Sequence, residues 1–230
     1  AQLILFSRKG GFMSPFFVTE LSLNSSMRNR LVHKYLKRLM KYENDFIDKG
    51  GNYVLMGDYI HHLQFRRIID VGAWWGPWTI TWQNNAEHVE IFEPNQKILP
   101  KLRRNISNFK NCTLHETALG NKAGKISMEQ VTHSGTYHIK DTHGLINVTT
   151  LDSYNFDSVD VIKIDVEGYE IPVLEGARNT ILVNKPYIQI EGNKAIQRYG
   201  YHKADINRYL TKLGMVRIGK RYPDQIWKFD

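Results

Sequence analysis

Apolar, β-branched residues run together at Ile68, Ile69 and Val71, stop at Gly72, and give way to a new segment after Gly76 and Pro77. A short apolar run predicts a buried strand, and a proline just past a glycine turn suits the first turn of a helix. The same alternation recurs. HVEIFEP (88–94) predicts a second strand ending at Glu93, and Lys97, Leu99, Leu102 and Ile106 mark the helix behind it. TLHETALG (113–120) predicts a third strand and a turn. VDVIKID (159–165) predicts a buried fourth strand ending at Asp165. Behind it Pro172 enters a helix with Val173, Leu174 and Ala177 on its apolar face. PYIQIEGN (186–193) predicts a fifth strand ending at Glu191, with Asn193 just beyond. A helix over 204–213 follows, and MVRIG and QIWKFD pair as a closing hairpin.

Two stretches depart from this rhythm. Over 26–49, Leu31, Tyr35, Leu39, Tyr42 and Phe46 recur at helical spacing after Ser25 and Ser26, while Arg28, Arg30, Lys34, Lys37, Arg38 and Lys41 fill the opposite face. Gly50 and Gly51 end this helix, and 52–64 predicts a second, shorter one. Residues 1–64 are thus expected to be a helical extension packed on a domain spanning 65–230. The second departure is GKISMEQ and the segment around TYHIK, which predict short extra strands within a polar stretch. His133, His138 and His143 fall there in what reads as loop, and a substrate-covering lid is expected.

The 230 residues with 42% apolar content suit one such domain. The single Cys112 excludes a disulfide framework and a thiolate-rich zinc site, so a reducing cytoplasm is the default setting. The opening AQLILFSRKGGFM is too briefly apolar for a signal-peptide core or a membrane span, which predicts a soluble protein. The +8 charge, concentrated on the first helix, suits nucleic acid, an acidic membrane surface or an acidic partner. Its aromatic residues fall on the presumed core side, not interleaved with the charges as a stacking platform requires.

The candidate chemistry gathers at the predicted strand ends. Asp70, Gly72 and Gly76 form D-x-G-x-x-x-G, a turn whose backbone, from Gly72 through Ala73 and Trp74 to Gly76, can approach a ligand closely. The G-x-G-x-x-G pyrophosphate cradle is missing, which points to a cofactor without a diphosphate. S-adenosylmethionine fits, with Asp70 orienting its amino-acid part. Glu93, about 20 residues past the turn, stands where an acid accepts hydrogen bonds from ribose hydroxyls, flanked by Pro94 and Asn95. Glu116, Thr117 and Ala118 are placed to meet the adenine. Lys163, Asp165, Glu167 and Glu170 concentrate charge at the same sheet edge.

Together IDVGAWWG, IFEPN, ALGNKAGK, TLDSY and VIKIDVEGYEIPVLEGA resemble the FkbM-type family of S-adenosylmethionine-dependent methyltransferases, over about residues 65–192. The resemblance implies an α/β fold: a doubly wound, Rossmann-like class I methyltransferase sheet of seven strands whose last hairpin is antiparallel. It also implies O-methylation of sugar or polyketide hydroxyls. Where the family usually carries A-N-x-G, this chain has Trp74 at the asparagine position. A hydroxyl acceptor needs help losing its proton. Asp165, Glu191, Lys163 and a histidine such as His138 are the candidates, and Asp165, Glu191 and Asn193 could hold a magnesium-like ion. Two other readings fit the same residues. One is an RNA ribose 2′-O-methyltransferase using the basic helix; the other is a non-catalytic module that keeps the fold.

Overall fold

The computed structural model describes residues 3–6, 15–18, 63–130 and 137–230. Strands β1 (Leu3–Phe6) and β2 (Pro15–Val18) pair antiparallel, with Leu3 opposite Val18. The predicted basic helix over 26–49 lies outside the described residues, as does the second helix except for residues 63 and 64, which are not helical.

From residue 65 the alternation is realised as a layered α/β domain. In order come β3 (Phe65–Val71), α1 (Pro77–Trp82), β4 (Ala86–Phe92), α2 (Leu99–Ile106), β5 (Cys112–His115) and β6 (Ala118–Leu119). Then follow β7 (Gly124–Gln130), β8 (Tyr137–Thr149), β9 (Val159–Ile164), α3 (Glu170–Gly176) and α4 (Arg178–Asn184). The chain ends with β10 (Tyr187–Glu191), α5 (Lys203–Lys212), β11 (Met215–Arg221) and β12 (Asp224–Phe229). Seven strands form one sheet in the order β11-β12-β10-β9-β3-β4-β5. β3, β4, β5, β9 and β10 are parallel, and β12 runs against β10 and β11.

Alternating side-chain direction gives the sheet two cores. Ile69, Val71, Ile162 and Ile164 face one side with Leu174, Ile188 and Trp227. Ile68, Val89, Ile91 and Val161 face the other with Trp78, Leu99 and Leu102. Strand order reverses beside β3, because β4 and β5 lie on one side and β9 and β10 on the other. Ligands of open α/β sheets bind where such a reversal opens a crevice at the strand carboxyl ends.

The extra strands expected at GKISMEQ and around TYHIK are present, and the second runs on through residues that read as loop. β7 and β8 pair antiparallel over 124–130 and 137–148, and β6 adds to β8 through Ala118 and Leu119. Ala118, Ile126 and Val148 form a small core of their own, packed by Met128, Ile139 and Ile146. His138 and His143 therefore lie on β8 and not in loop, while His133 lies outside the described residues. The alternation of apolar Met128, Ile139 and Ile146 with polar neighbours is what a sheet with one packed face requires.

Candidate active site

The turn after β3 is built on glycine for steric reasons. Gly72 has φ +76°, and a Cβ there would lie 1.9 Å from the Asp165 carbonyl oxygen. Gly76, at φ +92°, caps α1 and packs on Leu102. Trp74 between them also adopts the left-handed region, at φ +54°, an uncommon conformation for a bulky residue. Its N–H donates to Glu93 Oε2 at 2.8 Å, and the Asn95 N–H donates to Glu93 Oε1 at 2.9 Å. Two backbone donors thus aim the Glu93 carboxyl into the cleft. Burial nevertheless pushes its pKa up to about 7 against the opposing pull of those donors.

Beneath the turn runs a buried polar row. Asp70, Lys163 and Gln189 are register partners across β3, β9 and β10, so all three project to the α1 face. Lys163 Nζ stands 3.1 Å from Asp70 Oδ1 and donates to the Gly72 carbonyl at 2.7 Å. The Thr79 hydroxyl donates to Asp70 Oδ2 at 2.7 Å, and Trp78 Nε1 donates to Gln189 at 3.2 Å. The ammonium, paired with Asp70, therefore fixes the glycine turn from below through the Gly72 carbonyl.

The cleft over this row is lined by Gly72, Trp74, Glu93, Pro94, Asn95, Thr117, Ala118, Lys163 and Asp165, which the sequence had nominated. The other nominees lie elsewhere. Asp70 is fully buried under the turn, outside the lining, because strand parity points it at Thr79 and Lys163. Ala73 is buried in the α1-side core, and Gly76 is spent on starting α1. Glu116 pairs on the surface with Arg103. Glu191 is outside the lining, and its buried Oε2 has no hydrogen-bond partner among the described residues. His138 contributes backbone to β8, and its side chain is outside the described residues.

Nothing among the described residues supports the metal site that Asp165, Glu191 and Asn193 could form. Asn193 accepts from the Ala195 N–H at 2.6 Å and so caps a 3-10 turn over Lys194–Tyr199. No group of three or more His, Cys, Asp or Glu side chains converges for a metal among the described residues.

Several cleft residues were not singled out as site residues. Glu167 and Gly168 sit at φ +55° and +108° just past β9, which swings the Glu167 side chain into the cleft beside Asp165. The Glu-Gly pair after a strand was a readable signal, since it repeats the logic of the first glycine turn. Burial and then the negative charges of Asp165 and Glu170 push Glu167 up to about 7. Glu170 is also raised to about 7 by burial, although it accepts from the Gly168 N–H at 3.0 Å. Burial and the same carboxylates raise Glu191 well above its ordinary value. Met128, Tyr137, Ile139 and Tyr169 complete the wall. No local pattern marks Met128, Tyr137 and Ile139, because the β7–β8 sheet reaches the cleft only through the fold.

A seven-stranded sheet with one reversed strand, a glycine turn after its first parallel strand and a buried acid after its second define a class I methyltransferase architecture. The family model for the methyltransferase FkbM domain matches residues 70–216, and the chain belongs to that family. Among solved structures, the fold is similar to methyltransferase FkbM from Methylobacillus flagellatus KT, at 17% identity and TM-score 0.51 over 88% of this chain. This chain spans 59% of that protein's chain. It is also similar to a methyltransferase from Geobacter sulfurreducens, at 12% identity and TM-score 0.51 over 90% of this chain and 96% of that one. No curated protein gives a significant sequence match. No helix among the described residues is long and apolar enough to cross a membrane.

Proposed function

We propose that the protein is an S-adenosylmethionine-dependent O-methyltransferase acting on a hydroxyl of a sugar, glycan or related small molecule. The observation that carries the reading is the Glu93 carboxyl, aimed into the cleft by the Trp74 and Asn95 N–H groups. The residues present fit the cofactor. Each Glu93 oxygen accepts one backbone N–H and retains a lone pair for a ribose hydroxyl. Gly72 lines the cleft on the side that would take the methionine part, and Thr117 and Ala118 edge the adenine side.

When bound, S-adenosylmethionine supplies a methyl group activated by its sulfonium. The protein aligns the acceptor oxygen behind that methyl and excludes water. Asp165 is the base in this reading, since it lines the cleft half-exposed and is steadied by Lys163 Nζ at 3.7 Å. Lys163 holds the glycine turn in place during the transfer. Asp165 and the partly ionised Glu167 on the cleft wall favour a neutral acceptor over a phosphate-bearing one, since like charge repels an RNA backbone.

Calorimetric titration with S-adenosylhomocysteine tests the reading without knowledge of the acceptor. Saturable binding that Glu93→Ala weakens at least about tenfold supports it. A folded protein that binds nothing would sink the cofactor assignment. Methyl transfer from labelled cofactor to a panel of neutral glycosides against RNA then decides between acceptor classes.

A further inference from the structure

The outer wall of the cleft belongs to a separate three-stranded sheet, and one side chain ties it to the main domain by the backbone. The Tyr199 hydroxyl accepts from the Ile139 N–H at 3.0 Å and donates to the Ile139 carbonyl at 3.0 Å. Ile139 lies opposite Met128 in the β7–β8 register, and β6 covers β8 only at Val148 and Thr149. The polar groups of Ile139 therefore point to an open strand edge, and a phenol 60 residues away in sequence satisfies both of them.

Tyr199 is itself held firmly. It ends the 3-10 turn capped by Asn193, next to left-handed Gly200. That turn presses on the Glu167–Tyr169 segment so closely that a Cβ on Gly168 would lie 2.5 Å from the Ala195 carbonyl oxygen. The Tyr199 ring packs edge-on against Tyr169 with centroids 5.1 Å apart, and Tyr169 lines the cleft. At the opposite side, Lys97 Nζ stands 5.7 Å from the centre of the Tyr137 ring. The wall of Met128, Tyr137 and Ile139 thus spans the cleft from the Asn95–Ile98 side to Tyr199.

We infer that Tyr199 is a positioning residue whose hydroxyl holds the β7–β8 sheet across the cleft and thereby retains the bound cofactor. The inference rests on reading the cleft as the S-adenosylmethionine site. The phenol keeps its proton throughout the working range, since burial pushes its pKa up to about 12. The latch is therefore not switched by pH in that range.

Tyr199→Phe removes the hydroxyl and keeps the ring on Tyr169. Tyr201→Phe, two residues on, serves as the control. Three quantities are compared: the S-adenosylhomocysteine dissociation rate by stopped flow, amide hydrogen exchange at Ile139, and the urea unfolding midpoint. The expected result for Tyr199→Phe is dissociation faster by about five- to tenfold, from the loss of up to two hydrogen bonds, with faster exchange at Ile139. Tyr201→Phe stays at the wild-type rates.

A purely structural tyrosine would shift the unfolding midpoint or the exchange and leave dissociation alone, and that result overturns the inference. Should Tyr199→Phe lower the midpoint too far for clean measurement, wild-type exchange decides. Slowing at Ile139 on saturation with S-adenosylhomocysteine supports the latch, and unchanged exchange removes it. If wild-type protein binds no S-adenosylhomocysteine, the functional reading fails and the latch goes with it. If it binds and Tyr199→Phe releases at the wild-type rate, the latch alone fails.

Discussion

At the scale of single residues, the site sets ligand contact against stability. Glu93 is buried, yet its two oxygens meet only backbone donors, and its pKa rises from 4.5 to about 7. A carboxyl raised in this way stabilises the fold fully below about pH 4.5 and loses that contribution as pH rises through about 7. Glu93→Gln lacks this titration. Its cost in urea unfolding should therefore be smaller at pH 8 than at pH 5.5, by about 1–3 kcal/mol. Equal cost at both pH values would contradict the assignment of a raised carboxyl. Gly72→Ala meets both a positive φ and a carbonyl at 1.9 Å. We expect it to cost about 3–5 kcal/mol of stability, read as a lowered unfolding midpoint. Asp165→Asn leaves the cleft shape intact and should abolish methyl transfer while S-adenosylhomocysteine still binds; a fully active variant would remove Asp165 as the base.

Between elements, strand pairing decides which charges act together. Asp70 and Lys163 are 93 residues apart in sequence and adjacent in register, with the pair closed off from water. Breaking such a pair from one side leaves an uncompensated buried charge. Asp70→Asn alone should cost about 3–5 kcal/mol in denaturant unfolding, and adding Lys163→Met should recover part of it. Strictly additive losses would show that the two do not interact. The sequence made both residues visible but not their roles. The run IIDV announces a strand end, whereas the direction of Asp70 depends on strand parity and on the Thr79 that α1 brings beneath it. For β8 the difficulty was different. Polar residues and glycine over 141–147 read as loop, and only pairing with β7 and the small core of Ala118, Ile126 and Val148 turn them into sheet.

For the whole molecule, cofactor binding and folding are linked. A ligand at a hundredfold its dissociation constant stabilises the state that binds it by about 2.7 kcal/mol. Saturating S-adenosylhomocysteine should therefore raise the unfolding midpoint of the wild type, and raise that of Glu93→Ala much less. A wild-type midpoint unmoved by the ligand would contradict the proposed site.

Local signals were enough to specify the strand-helix alternation, the glycine turn at Gly72, the acid at Glu93 and the charged end of β9. Each depends on neighbours within a few residues: apolar spacing, a proline at a helix start, a glycine where no Cβ fits. The family to which the chain belongs was legible for the same reason, since its motifs are contiguous. Tertiary structure alone decided that Asp70 points away from the cleft, toward Thr79 and Lys163. It alone brought Met128, Tyr137 and Ile139 over the site under the hold of Tyr199. These are relations between segments that the sheet and its crossovers bring together, and spacing along the chain carries no record of such distances.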